Sequence, residues 1–255
     1  ILYTKQNSFL DYNQNIITPQ EAFDIIQKTD ADKIFIKPRF GVGGMDIHIF
    51  SKVENNVFIN KQDNSIINPE YINKITLQDY IIQIGLRQHP IMNEIYPHSI
   101  NTFRIVTEYI NNSDIKILFV LLRMGHHGME IDNATSGGLY TKIVPDNGEL
   151  YKYALSNNQD KFLFHPYTNF KFEGFRIPFW NEIIEFTKNI AFKFSDIKYI
   201  GWDIAYTVNG PVVIEANNGP DISILQDFYG GLKNDFGINS PKDFWYSDDY
   251  GIKDL

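Results

Sequence analysis

Alternation of apolar and polar residues divides the chain into short strands and two clear helices. Lys33 to Lys37 (KIFIK) and Asp46 to Phe50 (DIHIF) repeat with a period of two and predict strands, separated by a glycine-rich stretch from Pro38 to Met45. Val57 to Asn60 offers a third strand, and Tyr80 to Ile84 (YIIQI) an apolar one ending at Gly85. Thr102 to Ile110 and Ile115 to Met124 flank Asn111-Asn112-Ser113-Asp114, which predicts a long hairpin. Gly138 to Val144 and Leu150 to Leu155 flank Pro145-Asp146-Asn147-Gly148 in the same way, and Ile200 to Val208 and Val212 to Ala216 flank Asn209-Gly210. Thr18 reads as a helix N-cap, with Pro19 in the first turn and Glu21 closing a capping box; that helix should run to about Lys28. Pro178 to Phe194 predicts the longest helix, with Phe179, Ile183, Phe186, Ile190 and Phe194 on one stripe.

Strands that come as hairpins, with helices between groups, predict an α+β fold dominated by antiparallel pairing rather than a βαβ alternation. A boundary falls near Tyr80 to Leu86, giving a small glycine-loop lobe over residues 1–84 and a larger lobe over 85–255. At 255 residues and 43% hydrophobic, the chain can fill such a core, and its 21% charged residues exclude a disordered composition. Twenty Phe and 15 Tyr favour a sheet-rich interior.

Charge and cysteine count then remove whole classes of function. A net charge of −8 argues against non-specific nucleic-acid or anionic-membrane partners, and it means that a phosphate substrate would need metal ions or a few well-placed cations. The absence of cysteine excludes disulfides, thiolate nucleophiles and Cys-based metal sites. Apolar runs such as Ile115 to Leu122 are too short to span a bilayer, so no membrane span is expected. No secretory signal is visible and the chain begins at Ile1, so a trimmed N-terminus and a cytoplasmic location are the expectations.

Two constellations carry candidate chemistry. Lys37 closes a strand and is followed by Gly41, Gly43 and Gly44, glycines that let backbone N–H groups converge on phosphate oxygens. In a P-loop the lysine follows the glycines, and a dinucleotide fingerprint opens a helix; here the lysine comes first and a strand follows. A strand–loop–strand phosphate flap and a plain glycine hairpin turn both remain open on this stretch. The second constellation is Asp203, followed by Glu215 and Asn217 on the return strand. Placing Ile204, Tyr206 and Val208 with Val212, Ile214 and Ala216 on the core side puts Asp203, Glu215 and Asn217 together on the other. A two-residue Asn209-Gly210 turn would break that match, so an odd-length loop, three residues with Gly210 left-handed, is expected. Two carboxylates and a carboxamide oxygen form a hard site suited to Mg²⁺, with a solvated polar sheet face as the alternative. His126-His127 looks like a metal pair, but adjacent strand positions should point to opposite faces.

Lys37 with its glycine loop, a hinge-like strand, then Asp203, Glu215 and Asn217, in that order, resembles the ATP-grasp superfamily over about residues 31 to 228. The branch it resembles most is the sugar-transfer-associated one, on Gln88-His89-Pro90, Ser99-Ile100-Asn101-Thr102-Phe103-Arg104, Asp132-Asn133 with Gly137-Gly138, and Gly201-Trp202-Asp203-Ile204-Ala205. The resemblance implies a nucleotide held between the two lobes. It also implies that Lys37 binds ATP phosphates under a flap of Gly41, Gly43 and Gly44, and that Ile82, Gln83, Ile84 and Leu86 form the adenine hinge. Gln83 stands where an acid is usual, and its amide oxygen can still accept from the adenine amino group. Asp203, Glu215 and Asn217 would hold Mg²⁺. Arg104 and Arg123 would meet the γ-phosphate and an acyl phosphate, Lys142 would add a phosphate contact, and Asp132 and Asn133 would face substrate. Such proteins usually carry a further small domain before this core, so a truncated or missing N-terminal domain is expected.

The implied activity is an ADP-forming carboxylate–amine ligase using ATP and Mg²⁺. Its partners would be a small-molecule carboxylate, by branch resemblance a uronic-acid-type sugar of a surface polysaccharide or its precursor, and an amino acid or other amine. Rival readings are a small-molecule or sugar kinase on the same scaffold and a non-catalytic nucleotide- or carbohydrate-binding module.

Overall fold

The computed structural model describes residues 2–5, 8–39, 46–75, 77, 79–127 and 137–237. The chain divides into two compact units, Ile1–Arg87 and Gln88–Leu255, each built around one antiparallel seven-stranded sheet.

The first unit contains β1 (Leu2–Lys5), β2 (Ser8–Leu10), β3 (Ile16–Ile17), α1 (Pro19–Gln27), β4 (Lys33–Pro38), β5 (His48–Lys52), β6 (Phe58–Asn60), α2 (Pro69–Ile75) and β7 (Tyr80–Ile84). Its strand order is β3-β2-β1-β7-β4-β5-β6. The capping box forms as expected: the Glu21 N–H donates to Thr18 Oγ1 and the Thr18 N–H to Glu21 Oε2, at 3.2 and 2.8 Å. β5 starts at His48 rather than Asp46, because Asp46 sits at φ +57°, a conformation no strand accommodates. Ile34, Ile36, Phe50 and Ile82 face α1 and α2 in one core.

The second unit contains α3 (Pro90–Ile95), β8 (Thr102–Asn111), β9 (Asp114–Met124), β10 (Leu139–Lys142), β11 (Ala154–Ser156), β12 (Lys161–Phe162), α4 (Trp180–Ala191), β13 (Tyr199–Thr207), β14 (Gly210–Asn217) and α5 (Ser223–Tyr229). Its order is β12-β11-β10-β9-β8-β13-β14. The hairpin after β10 is looser than its sequence suggests. Beyond a single bridge between Ile143 and Leu150, pairing resumes only at Leu155 and Ser156.

The stripe expected on α4 packs on the core at Phe179, Ile183, Phe186 and Ile190, but the helix buries another line of residues more deeply. Its buried positions are Trp180, Ile183, Thr187 and Ala191, whereas Phe194 lies beyond the helix in a 3-10 turn and is 48% exposed. Trp180 anchors that deeper line: its indole N–H donates to the Pro145 carbonyl at 2.7 Å and its ring packs on Phe103.

Every residue of β13 is buried, because both faces of the sheet are covered. On one face Phe103, Ile105, Leu122, Trp202 and Ile204 pack with α4. On the other, Val106, Phe119, Leu121, Tyr140 and Tyr199 pack with Leu225 of α5 and with Leu232 and Phe236. Asp203 belongs to this second face.

Candidate active site

The last hairpin brings Asp203 and Glu215 directly opposite each other, by a route different from the one expected. The turn is two residues, Val208 and Asn209, closed by the Thr207–Gly210 pair, with Gly210 at φ +98°. That register alone would place Ile214 opposite Asp203. A bulge between Asp203 and Ile204 shifts the pairing by one, so Glu215 meets Asp203 and Asn217 meets Gly201. Val213, not Val212, therefore joins the α4 side, and Ile214 is left 38% exposed. The shared face is obtained by a bulge in place of a three-residue loop.

Following the register across the sheet extends this face into a charged row. Glu215 lies opposite Asp203, Asp203 opposite Arg104, Arg104 opposite Leu121, and Leu121 opposite Lys142. Residues directly opposite share a face, so five strands present Glu215, Asp203, Arg104, Leu121 and Lys142 side by side. Arg123 stands on the same face one row along, opposite Thr102 and Tyr140. Asn217 occupies the row on the other side, with Gly201 and Val106.

Within the row the charges are in direct contact. Arg104 grips Asp203 through two prongs, Nε to Oδ1 at 2.5 Å and Nη2 to Oδ2 at 2.9 Å, and Arg123 Nη1 donates to Oδ2 at 3.0 Å. The three side chains are only 11%, 11% and 7% exposed. Burial lowers the pKa of Arg104, but the hydrogen bonds and charge of Asp203, with Glu215 and Asp221, outweigh this and hold it above its ordinary value. Lys142 is half-buried, with its ammonium 4.0 Å above the Tyr229 ring. Glu215 is exposed on the edge strand.

The segment after β14 closes over one end of the row. A Cβ on Gly201 would lie 2.7 Å from Pro220 Cβ, so only glycine lets Pro220 pack there, two residues before Asp203. Asp221 follows and acts on Arg104. Sequence reading missed Asp221; its signal was the Asn217-Asn218-Gly219-Pro220-Asp221 run just beyond the acidic strand.

A magnesium ion would find an all-oxygen donor set here: two register-opposed carboxylates and the Asn217 carboxamide. Among the described residues no three His, Cys, Asp or Glu side chains group around a metal position. Magnesium needs only one or two carboxylates beside water and phosphate oxygens. The exposed Glu215 side chain makes no hydrogen bond among the described residues, and Asp203 keeps lone pairs beyond those its arginines use. The residues fit the ion.

The resemblance motifs around Gln88 and Asn101 bind each other rather than facing the row. Gln88 Oε1 accepts from the Asn101 backbone N–H and from Nδ2, both at 3.0 Å, while Gln88 Nε2 donates to Asn93 Oδ1 and the carbonyls of Tyr96 and Ser99. Asn101 Nδ2 also reaches the Met92 and Tyr96 carbonyls. This buried knot ties α3 to the start of β8 and so fixes the strand that carries Arg104. Asn101→Ala should cost about 2–3 kcal/mol, because several buried carbonyls lose their donor at once. A lowered urea midpoint with an unchanged slope checks it.

His126 and His127 also depart from expectation. β9 ends at Met124 and His127 turns to φ +53°, so the rings meet at 3.5 Å between centroids instead of facing apart. His165 lies nearby, donating Nε2–H to the Gly125 carbonyl and accepting the Tyr167 N–H at Nδ1, an arrangement only the neutral ring can make. Burial pushes His126 and His165 below their ordinary value, helped in each by a neighbouring histidine. A base whose folded value is depressed favours the neutral folded form. Its contribution is complete above pH of about 6.5 and is lost as pH falls toward the folded value. The melting temperature should hold between about pH 8 and 7 and drop below about pH 6.5, and His165→Asn should flatten that drop. Melts across this range check it.

In the first unit, Lys37, Phe35, Ile81 and Gln83 share the sheet face away from the core, by the pairs Lys37–Ile81 and Phe35–Gln83. Ile82 is 2% exposed and its side chain belongs to the core. Ile84 is 49% exposed and Leu86 half-buried. Gly41, Gly43, Gly44, Asp132 and Asn133 lie outside the described residues. No helix among the described residues is long and apolar enough to cross a membrane.

A family model described as "Sugar-transfer associated ATP-grasp" matches residues 6–234. Among curated proteins nothing matches. Among solved structures, a RiPP-associated ATP-grasp ligase from Chryseobacterium gregarium, in complex with ADP and a leader and core peptide, is 11% identical with a TM-score of 0.37. The match covers 82% of this chain and 47% of that one, so this chain spans about half the length of that ligase.

Proposed function

Because the chain belongs to the sugar-transfer associated ATP-grasp family, we propose that it is an ADP-forming ligase that joins a carboxylate to an amine through an acyl phosphate. The acceptor in this reading is a uronic-acid-type sugar of a surface polysaccharide or its precursor, and the amine an amino acid or similar nucleophile; the reaction would run in the cytoplasm, where ATP is held. The observation that carries the reading is the row of Glu215, Asp203, Arg104 and Lys142 on one sheet face, with Arg123 beside it. It sets fixed cations and hard oxygen donors side by side, as phosphoryl transfer requires.

A carboxylate is already nucleophilic at neutral pH. Its oxygen attacks the γ-phosphorus of ATP and ADP leaves; the amine then attacks the carbonyl carbon, and phosphate leaves with that oxygen while the amine gives up a proton. Arg104 and Arg123 would neutralise the charge growing on the transferred group, and Lys142 would orient a phosphate. Lys37 and Gln83, on one face of the first sheet, would contact phosphate and adenine. Magnesium, held by Asp203, Glu215 and Asn217, would supply charge neutralisation across the phosphates. The protein's part is positioning and electrostatics, with no covalent nucleophile.

Incubation with ATP, Mg²⁺, uronic-acid acceptors and candidate amines, followed by mass spectrometry, tests the reading. A condensation product with loss of one water and ADP in equal amount is expected. A phosphorylated sugar would move the protein to the kinase reading, and no product with any acceptor to a binding module.

A further inference from the structure

Both guanidinium groups assigned to phosphoryl oxygens are committed to a carboxylate. The two prongs of Arg104 and one Nη of Arg123 converge on the two oxygens of Asp203, and all three side chains are about nine-tenths buried. The fork of Arg104, satisfied by a carboxylate, is presented to nothing else, while Arg123 gives up one Nη to the same carboxylate. The surrounding charges offer an anion no net attraction either. Arg104 and Arg123 are set against Asp203, its register partner Glu215, and Asp221, whose field also reaches Arg104. With Lys142 at the far end of the row, three cations face three carboxylates and the cluster carries no net charge.

We propose that Asp203 masks an oxyanion site made by Arg104 and Arg123, and that a divalent cation taken up by Asp203 and Glu215 unmasks it, so that the cation must bind before the phosphoryl anion. This rests on the reading that this face handles phosphoryl groups. The physical cause is competition for one carboxylate. A divalent cation draws on the same oxygens that hold the two guanidinium groups, weakening those hydrogen bonds. It also adds two positive charges beside the buried Arg104, Arg123 and Asp203, where burial limits the screening of electrostatic effects. Glu215 is suited to first capture, being exposed on the edge strand and opposite Asp203. The order follows: before the cation arrives a phosphoryl anion meets occupied donors and no net charge in its favour, and afterwards net attraction and released donors. A metal-free enzyme would thus be kept from holding an acyl phosphate or free phosphate unproductively.

Inorganic phosphate is the probe, titrated calorimetrically into the whole chain with EDTA and, separately, with magnesium chloride. Wild-type protein should bind phosphate at least about tenfold more tightly with magnesium, as expected when a charged hydrogen-bonding site is released. Asp203→Asn removes the competing charge while keeping the shape, and should bind phosphate in EDTA as tightly as wild type does with magnesium. Glu215→Gln alters an exposed side chain without hydrogen bonds among the described residues, so it should fold normally yet lose most of the magnesium effect. Equal phosphate affinity with and without magnesium in wild type, or no phosphate binding under any condition, would overturn the proposal without needing either variant to fold. Binding of magnesium–ATP, measured in parallel, separates the two levels. If nucleotide binds but phosphate is ungated, the masking fails alone; if nucleotide does not bind either, the functional reading falls with it.

Discussion

Asp203→Ala should abolish turnover and also cost the fold about 3–5 kcal/mol, because it leaves two buried guanidinium groups without their counter-charge. Glu215→Ala should abolish turnover with no loss of melting temperature. Asp203 and Glu215 are register partners on one face, and both are proposed metal ligands. They differ in surroundings: Asp203 is 5% exposed and bonded to Arg104 and Arg123, while Glu215 is exposed at the sheet edge. Urea unfolding and ADP release, measured on both variants, check the pair. An Asp203→Ala protein as stable as wild type would mean that the buried ion cluster does not persist in solution. A fully active Glu215→Ala would remove the hairpin from the chemistry.

The second large effect concerns the arginines. Arg104→Gln should lower the rate roughly 10²-fold or more, since it removes a preorganised cation from the group on which charge develops. Arg123→Gln should act in the same direction. Arg104 should cost more stability, because it holds Asp203 through two hydrogen bonds and Arg123 through one in the described geometry. Lysine should not rescue either position, since an ammonium cannot reproduce the fork. Single-turnover kinetics, with stability measured alongside, separates the loss of rate from the loss of fold.

Much of this was legible in the sequence, and the failures have definite causes. The capping box at Thr18 and the long hairpin after Thr102 follow from local signals, and both form. The common face of Asp203 and Glu215 followed from matching apolar sets, yet its cause did not: a bulge at Ile214 is invisible in a run of Val, Val and Ile that reads as plain alternation. The α4 stripe found the core side at Phe179, Ile183, Phe186 and Ile190, but not the burial of Trp180, which rests on its distant contact with Pro145. Short strands such as Ser8–Leu10 and Ile16–Ile17 carry too few residues to show a period. The grip of Arg104 and Arg123 on Asp203 spans 99 and 80 residues, and depends on the register of three strands at once. No local pattern encodes that; it emerges only when each strand's partner is known.

The central claim is acyl-phosphate chemistry, and one isotope measurement tests it most directly. When the acceptor carboxylate is labelled with ¹⁸O, an acyl phosphate carries one labelled oxygen to phosphorus, and the amine then expels it. Inorganic phosphate released together with the amide should contain a single ¹⁸O per molecule, in amount equal to ADP. Unlabelled phosphate, with both carboxylate oxygens still in the acceptor, would contradict the account.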